Sequence, residues 1–138
     1  MRRTTRILSV VFVVFLFSVF GVWAGGTSST SEAQNPNEYE DPKGLAELIR
    51  SGEPEYLLVD VRTPGEFNSG HIPTAVNIPV SEIEAQPPEV SKQELVVVYC
   101  RSGSRSSRAA GILESLGYTQ VVDFGGIYRW EGELIKRE

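Results

Sequence analysis

The sequence predicts an α/β domain: a doubly wound, mostly parallel sheet of about four or five strands with helices on both faces. Short apolar runs rich in β-branched residues, at 56–61, 95–99 and 121–124, read as strands. They are continuous rather than alternating, the pattern of strands covered on both faces. Segments with helical spacing and turn residues separate them, and strands alternating with helices build a parallel sheet. At 138 residues the chain can hold one such domain with a real core.

The chain opens on a basic stretch, Met1-Arg2-Arg3-Thr4-Thr5-Arg6, followed by an uncharged run from Ile7 to Ala24 dominated by Val, Phe, Leu and Ile. This layout predicts residues 1–24 as a secretory signal peptide or an N-terminal membrane anchor. As a helix the run would span about 27 Å, nearly the hydrocarbon thickness, so length leaves both open. In either case the three arginines stay inside. The rest is expected to be exported, to the periplasm, either soluble or anchored by residues 7–24. Residues 25–39 are rich in Gly, Ser and Thr and read as a disordered linker. Residues 40–138 are then the folded domain.

Within the domain, Asp41-Pro42 suits an N-cap followed by proline at the first helical position. Leu45, Leu48 and Ile49 fall on one face of that helix, which ends at Ser51-Gly52. Tyr56 to Val61 is a short buried strand. Thr63-Pro64-Gly65-Glu66-Phe67 starts a turn and a short helix. Gly70 to Pro79 is a loop leading into a very short strand between prolines. Ser81-Glu82-Ile83-Glu84 begins another helical piece, stopped at Pro87-Pro88. The Leu95–Tyr99 strand and a helix from about Ser106 to Leu116 follow, with Gly117 just beyond the helix end. Val121 to Phe124 is a further strand, and Gly125-Gly126 opens a last helical turn around Ile127 to Trp130.

Charge narrows the partners. Residues 1–24 carry three arginines and no acid, so of 13 basic and 18 acidic residues the remainder keeps 10 and 18, a net charge of −8. That argues against nucleic acid or an anionic membrane, with membrane contact expected only if the N-terminal segment is uncleaved. Yet between Leu95 and Leu113 there is no acid, while Arg101, Arg105 and Arg108 are all present. Cations at a helix N-terminus oppose its dipole, so this cluster suggests an anion site.

Beside that cluster lies the single cysteine, Cys100. One cysteine in an exported protein cannot form an internal disulfide, so it is a partner-linking or reactive thiol. It sits between a buried strand and a helix N-terminus, where backbone N–H groups and arginines favour its thiolate. Ligands of parallel sheets bind at these C-terminal strand ends. With one cysteine and one histidine no metal site is credible, and no cofactor is expected.

Four segments carry a resemblance. They are Asp60-Val61-Arg62-Thr63-Pro64-Gly65-Glu66-Phe67; Gly70 to Pro79, beginning Gly70-His71-Ile72-Pro73; Val98-Tyr99-Cys100-Arg101-Ser102-Gly103-Ser104-Arg105-Ser106; and Gly125-Gly126-Ile127-Tyr128-Arg129-Trp130. In order and spacing the chain resembles the rhodanese family of sulfurtransferases over roughly residues 40–136, in its small, single-domain, exported kind. The resemblance implies a persulfide on Cys100, thiosulfate as the usual test donor, and a thiophilic acceptor. A monomer is expected.

The residues suit that chemistry. The site must keep Cys100 anionic and still admit an anionic sulfur donor. Backbone N–H groups from Arg101 to Ser106, curled around the sulfur, serve the first need. The Arg101 and Arg105 side chains serve the second. Gly103 permits an unusual backbone conformation. Ser102, Ser104 and Ser106 add hydroxyl donors, with Ser106 alternatively capping the helix. Asp60 and Arg62 are expected to form an ion pair or brace the loop, with Glu66 and His71 also structural. Alternatives remain open: a persulfide carrier, a non-catalytic binding module, or a cysteine phosphatase or arsenate reductase. The last is disfavoured because phosphatase loops need Cys-x5-Arg, whereas Arg105 follows Cys100 after four residues.

Overall fold

The computed structural model describes residues 35–137. The expected signal peptide or anchor and most of the expected linker lie outside these residues. Four strands form one sheet: β1 (Tyr56–Asp60), β2 (Val76–Asn77), β3 (Leu95–Cys100) and β4 (Gln120–Gly126). Their order is β2-β1-β3-β4 and every neighbouring pair is parallel. Among the described residues, α1 (Pro42–Ser51) precedes β1, α2 (Pro64–Ser69) lies between β1 and β2, and α3 (Ser104–Ser115) joins β3 to β4.

The two-residue period of a strand divides the core into two layers. All six residues of β3 are buried. Leu95, Val97 and Tyr99 face a cluster with Leu45 and Leu48 of α1; Val96, Val98 and Cys100 face one with Ala109 and Leu113 of α3. Helices therefore cover both sheet faces, as expected of a doubly wound domain. Each fully buried Leu or Val stabilises the fold by roughly 1.5–3 kcal/mol. The same period aims the thiol at α3.

The caps follow the local sequence. The Asp41 carboxylate accepts from the Lys43 N–H, Pro42 opens α1, and Gly52 ends it in the left-handed region at φ 72°. Thr63 and Glu66 form a reciprocal capping box at the start of α2.

Two expectations are corrected. Pro36–Glu40 is a 3₁₀ helix rather than linker, with the Asn35 side chain capping it and Tyr39 buried in the α1-side core. One aromatic among polar residues shows no periodicity, so its burial is invisible in sequence. The helical piece begun at Ser81 is a series of turns instead. Backbone bonds from Ile83 N–H to the Pro79 carbonyl and from Gln86 N–H to that of Glu82 hold it, and Ile83 is driven into the α3-side core.

Candidate active site around Cys100

From β1 the chain crosses to β2 on one side, and from β3 to β4 on the other. This reversal leaves a crevice at the C-terminal ends of β1 and β3. Cys100 ends β3. The chain then turns through Arg101, Ser102 and Gly103 and enters α3, whose N-cap is Gly103 at φ 105°. A side chain at Gly103 would be strained in that conformation. The turn also rests on Gly126, where a Cβ would come within 2.9 Å of the Arg101 carbonyl oxygen. A bulge in β4 shifts its register from Val98↔Asp123 to Tyr99↔Gly125. The Asp123 carboxylate holds it by accepting the Gly125 N–H at 2.9 Å.

The Cys100 sulfur accepts the Gly103 N–H at 3.0 Å and lies 3.6 Å from the Ser106 hydroxyl oxygen. Ser106 is fully buried; its hydroxyl donates to the Gly103 carbonyl at 2.9 Å and lies 3.3 Å from that of Gly125. It does not cap α3. Burial, the strongest single influence on the thiol, pushes its pKa up. The Ser106 hydroxyl and the N–H groups of Ser106, Gly103 and Ser102 together outweigh it and leave the thiol below its ordinary value. The loop thus stabilises a thiolate with fixed dipoles. Cys100 itself is buried.

The three arginines of the cluster separate. Arg105 is bound face to face by Glu66, with Nη1 to Oε2 at 2.7 Å and Nη2 to Oε1 at 2.9 Å. Glu66 supplies from α2 the acid that the first turn of α3 lacks. Its Oε2 also accepts from the Thr63 N–H and hydroxyl, both at 3.0 Å. Arg101 is exposed and has no ion-pair partner among the described residues. It lines a cleft of ≈ 550 Å³ together with Arg62, Glu66 and Ile127. Arg108 is exposed further along α3 and takes no part in that cleft. The Ser102 and Ser104 side chains are also exposed and make no hydrogen bond among the described residues; Ser102 gives its backbone N–H instead.

Asp60 and Arg62 form a buried pair, with Arg62 Nε 2.9 and 3.0 Å from the two carboxylate oxygens and Nη2 2.6 Å from Oδ2. Arg62 Nη2 also donates to the Gly70 carbonyl at 2.7 Å, tying the end of β1 to the loop before β2. His71 lies beyond. Its Nδ1 is 3.0 Å from the Phe67 carbonyl oxygen, and its ring stacks on Phe67 at 3.8 Å.

Three supports escape a reading of the sequence. The Asn77 amide donates to the Asp60 and Arg62 carbonyls at 2.8 and 2.9 Å. The Tyr99 hydroxyl accepts the Ile72 N–H at 3.1 Å. The third is the Glu66–Arg105 pair. Thr63-x-x-Glu66 does carry the capping-box signature, but nothing local reveals its second partner.

The Glu66 pair has a consequence in acid. The Arg105 hydrogen bonds, reinforced by Thr63, bring its carboxyl from 4.5 down to about 2. A depressed carboxyl stabilises the fold fully above its unfolded value, and the contribution is lost as pH falls through the folded one. Melting temperature should therefore fall more steeply between about pH 4.5 and 2 in the wild type than in Glu66→Gln. Parallel melting curves against pH for the two proteins would refute this coupling.

Residues 41–133 match the rhodanese-like domain family. A protein named sulfurtransferase from Allochromatium vinosum is 41% identical over 91 residues, covering 65% of this chain and 84% of that protein. The thiosulfate:glutathione sulfurtransferase of Saccharomyces cerevisiae is 31% identical over 125 residues, covering 79% and 87%. Among solved structures, the human single-domain sulfurtransferase superposes with a TM-score of 0.57 at 34% identity, covering 63% of this chain and 88% of that one.

Proposed function

The chain belongs to the rhodanese-like family, with sulfurtransferase relatives, and on that premise we propose that it transfers a sulfane sulfur through a persulfide on Cys100. The observation that carries this is the convergence of the Gly103, Ser102 and Ser106 N–H groups on one sulfur, with the Ser106 hydroxyl oxygen 3.6 Å from it. In the first half-reaction the Cys100 thiolate attacks the outer sulfur of thiosulfate. The sulfur–sulfur bond of the donor breaks, its electron pair leaves on sulfite, and a cysteine persulfide anion remains. In the second, an acceptor thiolate or cyanide takes the outer sulfur and returns the thiolate. Charge and electrons balance in both steps, and the N–H cradle compensates the negative sulfur throughout. The thiosulfate:glutathione sulfurtransferase relative supports thiosulfate as a donor and a thiol as acceptor.

A phosphatase role is poorly served by the same loop. The guanidinium that would have to close over a phosphoryl group, Arg105, is engaged by Glu66. Intact mass spectrometry after thiosulfate treatment tests the proposal. The protein should gain the mass of one sulfur atom and lose it to cyanide. No gain, together with turnover of aryl phosphates, would replace this reading with the phosphatase one.

Arg101 is the cation left to meet the donor. Arg101→Ala should lower kcat/KM for thiosulfate about two- to fivefold at low salt, the scale of an exposed ion pair. The deficit should shrink as salt screens the attraction. Equal kcat/KM values for variant and parent across ionic strengths would exclude Arg101 as the donor cation.

A further inference from the structure

Three guanidinium groups belong to the Cys100 loop or to the cleft beside it, and two are already compensated. Arg62 is paired with the buried Asp60 carboxylate and Arg105 with Glu66, while Arg101 faces the cleft with no acidic partner among the described residues. The Glu66 carboxylate lines that same cleft. It is fixed by Thr63 as well as Arg105, so it cannot swing away without losing four hydrogen bonds. Arg105 stands in the first turn of α3, the helix against which the Cys100 side of β3 packs. Among the described residues, a dianion in that cleft therefore meets one unpaired cation, Arg101, and the Glu66 side of an ion pair whose Arg105 does not line the cleft.

We propose that Glu66 is a specificity-determining residue: it withholds Arg105 from the donor and favours zwitterionic, amino-acid-type hydropersulfides over the thiosulfate dianion. The proposal rests on the sulfur-transfer reading above. A donor of the cysteine hydropersulfide type carries a carboxylate that suits Arg101 and an ammonium that suits Glu66. Its sulfur step needs no co-reactant. The Cys100 thiolate attacks the outer sulfur of R–S–SH, the donor's S–S bond breaks, and its electron pair leaves on R–S⁻. The proton stays on the new Cys100–S–SH group.

Single-turnover loading of Cys100, followed by intact mass, tests this with thiosulfate and with cysteine hydropersulfide. The proteins compared are the wild type, Glu66→Gln, Arg105→Gln and the double variant. Glutamine at position 66 keeps the capping-box partner while removing the charge. Glu66→Gln should load from thiosulfate about 3- to 10-fold faster at low salt, as one nearby charge is removed. It should load from cysteine hydropersulfide more slowly than the wild type. Arg105→Gln should slow thiosulfate loading, and the double variant should return near the wild-type rate. A pair that merely braces α2 against α3 would instead depress loading from both donors in every variant. That pattern, or an unchanged ratio of the two rates in Glu66→Gln, overturns the proposal. A wild-type protein that takes sulfur from neither donor overturns the sulfur-transfer reading itself, before any variant is compared.

Discussion

Cys100→Ser should abolish sulfur transfer from thiosulfate to cyanide and leave the domain folded. Serine fits the same volume, and its oxygen can still accept the Gly103 N–H that the sulfur accepts at 3.0 Å. Stability should fall by no more than about 1 kcal/mol, the scale of one altered hydrogen bond. Chemistry is another matter. A hydroxyl is a weak nucleophile unless an adjacent base takes its proton. The one histidine has its Nδ1 against the Phe67 carbonyl and its ring stacked on Phe67. The cradle activates Cys100 by stabilising an anion that sulfur forms readily. Turnover of the purified variant and its urea midpoint check the two halves separately. Substantial residual turnover in a folded variant would end the persulfide mechanism.

Asp60→Ala should be the most damaging single change to stability among the site residues, by about 3–5 kcal/mol, because it strands a buried guanidinium. The Asp60 side chain has no exposed surface and that of Arg62 only 8%. Removing the carboxylate leaves the Arg62 Nε and Nη2 without their main acceptors; only the Gly70 carbonyl remains. Against a typical net stability of 5–15 kcal/mol, this brings the domain close to unfolding. Asp60→Ala combined with Arg62→Leu should recover part of the loss, since no charge is then left buried. Urea unfolding of the two variants decides it. A loss under about 1 kcal/mol for Asp60→Ala would mean that Arg62 finds water or another acceptor.

Much of this molecule is legible in its sequence because the relevant signals are local. The apolar run from Leu95 to Tyr99 fixes a strand buried on both faces, and its two-residue period fixes which face each side chain meets. Asp41-Pro42, the Thr63–Glu66 spacing and Gly117 mark helix ends through backbone hydrogen bonding within a few residues. The position of Cys100 between that strand and a helix start already implies a sulfur surrounded by N–H donors.

Tertiary structure decided what each charge is for. Arg101 and Arg105 look alike in the sequence, both cations within five residues of the only thiol. Among the described residues one has no acidic partner and one is neutralised, because the crossover from β1 brings Glu66 of α2 against the first turn of α3, 39 residues away. Spacing along the chain carries no information about such a meeting, which depends on strand order and helix placement. The burial of Tyr39 and the grip of Asn77 on the end of β1 arise in the same way, from surfaces that exist only once the sheet has closed beneath its helices. The sequence alone therefore places the thiol and the N–H dipoles beside it. The net charge a donor encounters is set by the fold, because Coulomb interactions follow distance in space rather than separation in sequence.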